Sequence, residues 1–127
     1  MKLDEAWGLG SVNTLTATAA IASLNDDAHM AAERRENARV RDYTIGWFKE
    51  QGYDAPKSHS NFIFPTIRRP AKVFRDACEK EKVFVGRDFP PMEKTNCRIS
   101  IGTWEEMHKA VEVFKHALAA PMSAAAM

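Results

Sequence analysis

Residues 97–103 read Cys-Arg-Ile-Ser-Ile-Gly-Thr, followed by Trp104, Glu105 and Glu106. Successive side chains of a strand point to opposite faces. Cys97, Ile99 and Ile101 therefore share a face suited to a core, while Arg98 and Ser100 share the other. Thr103 with Glu106 three residues later is the capping-box pattern that opens a helix. The segment thus reads as a short strand feeding a helix, with one cation held on the strand's non-core face. A planar guanidinium in that place meets a carboxylate with two parallel hydrogen bonds, which an ammonium cannot do. From the residues alone, a surface arginine on an edge strand fits the position as well.

The helix opened by Thr103 spans about 104–119: Met107, Ala110, Val111, Phe114, Ala117 and Leu118 recur at helical spacing, and Pro121 stops it. Residues 121–127 then form a tail expected to be disordered. Upstream, Val83-Phe84-Val85 reads as a short strand, followed by the constrained turn Gly86-Arg87-Asp88-Phe89-Pro90-Pro91. Pro70 stands at the first turn of a helix over about 70–80, with Val73, Phe74, Ala77 and Cys78 inward. Ser60–Pro65 is a short apolar strand closed by its proline.

Before it, a charged rod over about 26–51 carries Val40, Tyr43, Trp47 and Phe48 as one apolar stripe and ends at Gly52. Residues 12–24 form a helix of small side chains capped by Asn13 or Thr14, whose alanines suit close packing on something larger. Asn25 breaks it, and Asp26 and Asp27 bring negative charge to the start of the next helix. The order is α-α-β-α-β-β-α. A mostly antiparallel sheet of about three short strands cannot stand alone and must be covered by helices, so the expected class is α+β.

At 127 residues the chain has about one domain's length, and Lys plus Arg (18) nearly balances Asp plus Glu (17). A net charge of +1 gives no field for nucleic acid or an anionic membrane. Arg34, Arg35, Arg39 and Arg41 are interleaved with Glu33, Glu36 and Asp42, which reads as a solvated helix face. Cys78 and Cys97 cannot build a disulfide framework, and both lie in apolar patterns, so buried thiols in a reducing compartment are expected.

The four histidines show no ligand spacing with one another or with the cysteines, and no metal site is expected. His108 and His116 read as exposed positions of the last helix. Trp7, Trp47 and Trp104 are scattered, as packing residues would be. No apolar run approaches the ~18 residues of a membrane span, and Met1–Glu5 is acidic where a signal peptide would be basic. The expected location is cytoplasmic.

Four pieces in this order and with these gaps resemble the C-terminal small domain of pyridoxal-phosphate-dependent aminotransferases of the aspartate aminotransferase fold type, and within them the histidinol-phosphate aminotransferase group. They are Asn13–Leu24, Ser60-Asn61-Phe62-Ile63-Phe64, Val83-Phe84-Val85-Gly86-Arg87-Asp88-Phe89, and Arg98-Ile99-Ser100-Ile101-Gly102-Thr103 with Glu105-Glu106 behind it. The resemblance implies a linker and inter-domain helix over 1–25 and the small domain over 26–120. It implies that Arg98 clamps the α-carboxylate of an amino acid or keto acid substrate. Arg87 would bind a phosphate or other distal group, and Asn61 would be structural beside the site. Gly86 before Arg87 and the short, proline-rich run to Arg98 depart from the group's pattern, so donor, acceptor and any phosphate stay open.

The family's Schiff-base lysine, in a Ser-Lys motif upstream of the segment like Asn13–Leu24, has no counterpart in these residues. Nor have the aspartate at the pyridine nitrogen, the asparagine and tyrosine at the ring, or the glycine-rich phosphate cup. Pyridoxal chemistry needs an amine to hold the cofactor and a carboxylate at the ring nitrogen. The expectation is therefore a chain with no catalytic and no cofactor-binding residue of its own. It would be the substrate-binding C-terminal part of a transaminase, inactive alone, with pyridoxal phosphate in the complete, homo-oligomeric (dimeric) enzyme and the large domain as partner. The alternative is a stand-alone amino-acid-binding or interaction module that keeps the arginine without the chemistry. A fragment should expose an apolar patch along the alanine-rich helix and Trp7, and self-associate.

Overall fold

The structure, a computed structural model, describes residues 13–119; Trp7 and the expected tail over 121–127 lie outside them. In order come α1 (Thr14–Leu24), α2 (Asp27–Glu50), β1 (Phe62–Ile63), α3 (Ala71–Lys80), a 3-10 turn (Met92–Lys94), β2 (Ile99–Ser100) and α4 (Trp104–Ala119). The class is α+β. The chain divides into two compact units, Met1–Arg34 and Arg35–Met127.

In the first unit Asn13 rather than Thr14 caps α1, its side chain accepting from the Thr16 amide at 2.9 Å. The Asp26 carboxylate accepts from the His29 amide at 2.9 Å and opens α2. No α1 residue is buried, and Leu15, Ile21 and Leu24 stand in solvent.

The second unit holds the core. Met107, Ala110, Val111, Phe114, Ala117 and Leu118 of α4 are all buried, as their spacing predicts. Phe74 and Cys78 come from α3, Val40, Ile45 and Phe48 from α2, and Ile63, Cys97 and Ile99 from the sheet region. Tyr43, Trp47, Trp104 and Ile101 pack half-buried against this cluster. Gly52 closes α2 at φ +79, a left-handed turn in which the Tyr53 amide donates to the Phe48 carbonyl at 2.9 Å.

The expected third strand is absent from the described residues. β1 pairs antiparallel with β2, Phe62 opposite Ser100 and Ile63 opposite Ile99. Val83–Val85 keeps a strand's alternation, with Val83 and Val85 half-buried and Phe84 exposed, but forms no ladder. The Val83 amide is already committed to the Cys78 carbonyl at 3.0 Å, closing α3 through Lys82 at φ +64. The next tie to β2's segment is a single bond, from the Gly86 amide to the Arg98 carbonyl at 3.0 Å.

Two further readings are corrected. Arg41 is not on a solvated face: it is 8% exposed, and its Nη1 donates to the Ser60 carbonyl at 3.3 Å. Positions 41, 44, 45 and 48 lie three, four and seven residues apart, and Thr44, Ile45 and Phe48 are buried, so helical periodicity turns Arg41 inward with them. Arg34, Arg35 and Arg39 are exposed as expected. His108 is half-buried rather than exposed, stacked on Tyr43 at 4.4 Å with its Nδ1 2.9 Å from the Trp104 carbonyl. His116 is exposed. Among the described residues, no helix is long and apolar enough to cross a membrane.

Cys78 and Cys97 are both free and buried. Burial, as the largest cause, pushes each thiol from the ordinary value of 9.0 up to about 12, and at Cys78 the neighbouring Cys97 adds to it. Folding thus keeps both protonated where an unfolded chain would ionise. This stabilises nothing extra below pH ~9 and costs stability progressively as pH rises from there toward 12. Iodoacetamide at pH 8 is therefore expected to leave both thiols unmodified in the folded chain and to alkylate both in urea, as read by intact mass. Rapid modification without denaturant would contradict their burial.

Candidate functional site

The capping box sets the geometry around Arg98. The Thr103 amide donates to Glu106 Oε2 at 2.8 Å, and the Glu106 amide donates to Thr103 Oγ1 at 3.2 Å. α4 thereby starts at a fixed point, with three residues between it and β2. On the other side, Cys97 and Ile99 are rooted in the core, so Arg98 between them must face away from it. The same alternation acts in β1: Ile63 is fully buried, and Phe62 and Phe64 turn to the opposite face.

Arg98, Phe62 and Phe64 come together with Arg87, Phe89 and Met92 around a cleft of about 470 Å³. The Arg98 guanidinium lies 4.4 Å from the centre of the Phe62 ring and 5.9 Å from that of Phe89. Arg87 lies 4.8 Å from the same Phe89 ring, and Phe64 meets Phe89 edge-on at 6.1 Å. Phe89 is thus a floor shared by both cations. Stacking on a ring face fixes the guanidinium plane and leaves its N–H edge open to an acceptor. Among the described residues, neither Arg87 nor Arg98 makes a side-chain hydrogen bond or ion pair.

The structure therefore brings Arg87 and Arg98 into one cleft. Asn61 stands just outside it: exposed, with its backbone carbonyl accepting from the Ile101 amide at 2.8 Å and so extending the β1–β2 pairing by one step. The apolar wall was not among the expected site residues, although the alternation Phe62-Ile63-Phe64 carries it. Phe89, in an irregular segment, and Met92, at the start of the short 3-10 turn, have no periodicity to mark them.

Gly86 joins the two arginine-bearing segments. A Cβ built there would stand 2.8 Å from the Arg98 carbonyl oxygen and 3.3 Å from the Arg98 Cβ. Gly86→Ala must push the segments apart and strain the Gly86–Arg98 hydrogen bond. The expected loss is about 1–3 kcal/mol, read as a lower urea midpoint by tryptophan fluorescence. An unchanged midpoint would mean that the segments yield freely.

The chemistry of the cleft can be set against the cofactor that the resemblance implies. The described lining residues include two guanidiniums but no lysine and no carboxylate, whereas pyridoxal phosphate needs an amine to hold it and a carboxylate beside its ring nitrogen. The cleft fits an anionic ligand and does not fit as the cofactor's anchoring site. Nor do three or more His, Cys, Asp or Glu side chains group to hold a metal among the described residues.

Comparison with known proteins gives a consistent assignment. The family described as Aminotransferase class I and II matches residues 4–114. The chain is 31% identical over 110 residues to a histidinol-phosphate aminotransferase of Moorella thermoacetica, covering 86% of this chain and 28% of that protein. It is 34% identical over 97 residues to histidinol-phosphate aminotransferase 2 of Methylococcus capsulatus, covering 76% and 26%. A crystal structure from Erwinia carotovora atroseptica, provisionally named a histidinol-phosphate aminotransferase, superposes with a TM-score of 0.78 at 28% identity, covering 84% of this chain and 30% of that one. The chain spans less than a third of each of these proteins. With the family's pattern running through most of its length and the fold superposing at that level, the chain belongs to the aminotransferase class I and II family.

Proposed function

We propose that this chain is the substrate-carboxylate-binding C-terminal part of a pyridoxal-phosphate-dependent aminotransferase of the histidinol-phosphate type. Arg98 clamps the α-carboxylate of the amino acid or keto acid, and Arg87 receives the distal group of the substrate. The observation that carries this reading is the shared cleft. Two guanidiniums, each set against an aromatic ring and neither paired with an acid among the described residues, line a pocket of substrate size. The cofactor and its anchoring lysine belong to a large domain that these residues do not include, so the chain alone is inactive. It works in the cytoplasm within a homo-oligomer, and the solvent-facing apolar side chains of α1 suit docking against that larger part.

The test is reconstitution. The chain is mixed with the large-domain polypeptide of a histidinol-phosphate aminotransferase, cut where the matched segment begins, and transamination is followed with the absorbance of bound pyridoxal phosphate. Turnover is expected from the mixture and from neither part alone. Turnover by this chain alone would overturn the reading. Saturable amino acid binding by the chain, with no activity in any mixture, would replace it with a stand-alone binding module.

A further inference from the structure

Asp88 is the acidic residue nearest Arg87 along the chain, bonded directly to it. Its Cα is therefore about 3.8 Å from that of Arg87, and an uncommitted carboxylate there would compete with any anionic ligand for the Arg87 guanidinium. The structure gives Asp88 another partner. Its Oδ1 accepts from Arg75 Nη1 at 2.5 Å and its Oδ2 from Arg75 Nη2 at 3.3 Å, the two-pronged pairing that fixes orientation as well as distance. Arg75 Nη1 also reaches the Gly86 carbonyl at 3.5 Å, so one side chain holds both neighbours of Arg87.

Arg75 projects from α3, which is anchored in the core through Phe74 and Cys78. Its base is rigid where the Gly86–Phe89 segment is irregular. The pair is only partly exposed, 25% for the Arg75 side chain and 39% for that of Asp88. The Arg75 hydrogen bond, as the largest cause, holds the Asp88 carboxyl below its usual range against the opposing effect of burial.

We propose that Arg75 is a positioning residue of the cleft: it draws the Asp88 carboxylate away from Arg87, leaving both cleft guanidiniums available to a substrate with two separated anionic groups. This rests on the reading of the cleft as the substrate site. It assigns a role to a residue outside the cleft and narrows the substrate class to dianionic amino acids.

The full chain is titrated with O-phosphoserine, an α-amino acid carrying a distal phosphate, with alanine as the singly charged control, and read from the backbone amide shifts of residues 86–89 and 98. Wild type is expected to saturate with O-phosphoserine and to bind alanine more weakly. Arg75→Met should weaken O-phosphoserine about fivefold, the scale of one uncompensated surface charge, and leave alanine within about twofold. Asp88→Asn should bind at least as well as wild type, and Arg75→Met with Asp88→Asn together should return to within about twofold of it, on the same electrostatic scale.

Equal weakening in all three variants would make the pair a structural brace and overturn the proposal. So would an Arg75→Met variant indistinguishable from wild type, which leaves the cleft reading standing. Absence of saturation in wild type would overturn the cleft reading itself. If Arg75→Met alone does not fold, as judged by circular dichroism, the Asp88→Asn and double variants still decide between the outcomes.

Discussion

If Arg98 clamps the substrate carboxylate as proposed, Arg98→Lys in an aminotransferase assembled with this chain is expected to lower kcat/KM for the amino donor by at least roughly tenfold. The substitution keeps the charge and removes the geometry. The Arg98 guanidinium carbon lies over the Phe62 ring at 4.4 Å, and Cys97 and Ile99 on either side are buried in the core. A lysine ammonium reaches a carboxylate with one rotatable contact and cannot form the two parallel hydrogen bonds. Truncating one partner of a desolvated charge pair costs about 2–5 kcal/mol. Retaining the charge in an open cleft recovers part of that, which leaves about 1.4 kcal/mol or more, a factor of ten. Steady-state kinetics across amino donor concentrations test it, with an unchanged thermal melt expected because position 98 contacts Gly86 through its backbone. Near-normal kinetics in the folded variant would remove Arg98 from substrate recognition.

What could be read from sequence here was local. The capping box of Thr103 and Glu106, the inward stripe of α4, the closure of α2 at Gly52 and the burial of both cysteines each depend on neighbours within a turn or two. Arg98 was legible because alternation between Cys97 and Ile99 leaves it one direction to face. The illegible features depend on distant partners. Val83–Val85 has a strand's composition, yet whether it pairs is decided by how α3 ends, at the Cys78 carbonyl and the left-handed Lys82. The Arg75–Asp88 pair spans thirteen residues, and Phe89 joins Arg87 to Arg98 through space rather than spacing. Arg41 is an instructive case, because residue type and position disagreed: its charge suggested solvent, while its helical register with Thr44, Ile45 and Phe48 pointed inward, and the register prevailed.

Phe114→Ala is expected to cost about 3–5 kcal/mol of folding stability, most or all of the reserve if the chain lies near the low end of the about 5–15 kcal/mol usual for a domain. Phe114 is 1% exposed and meets the rings of Phe74 at 5.5 Å, Phe48 at 5.9 Å and Trp47 at 6.3 Å. Those partners sit on α3 and α2, so a collapse into the vacated volume would have to move two other helices at once. The loss therefore includes a cavity as well as the transfer of the ring to water. Phe84→Ala is the matched control: the same deletion at a side chain 74% exposed, expected to shift stability by no more than about 0.5 kcal/mol. Urea unfolding of both variants, followed by far-ultraviolet circular dichroism, gives the comparison. If Phe114→Ala lost less than about 1 kcal/mol, the three helices would have to repack readily, and the core could no longer be regarded as the rigid base that aligns Arg75 and Arg98 around the cleft.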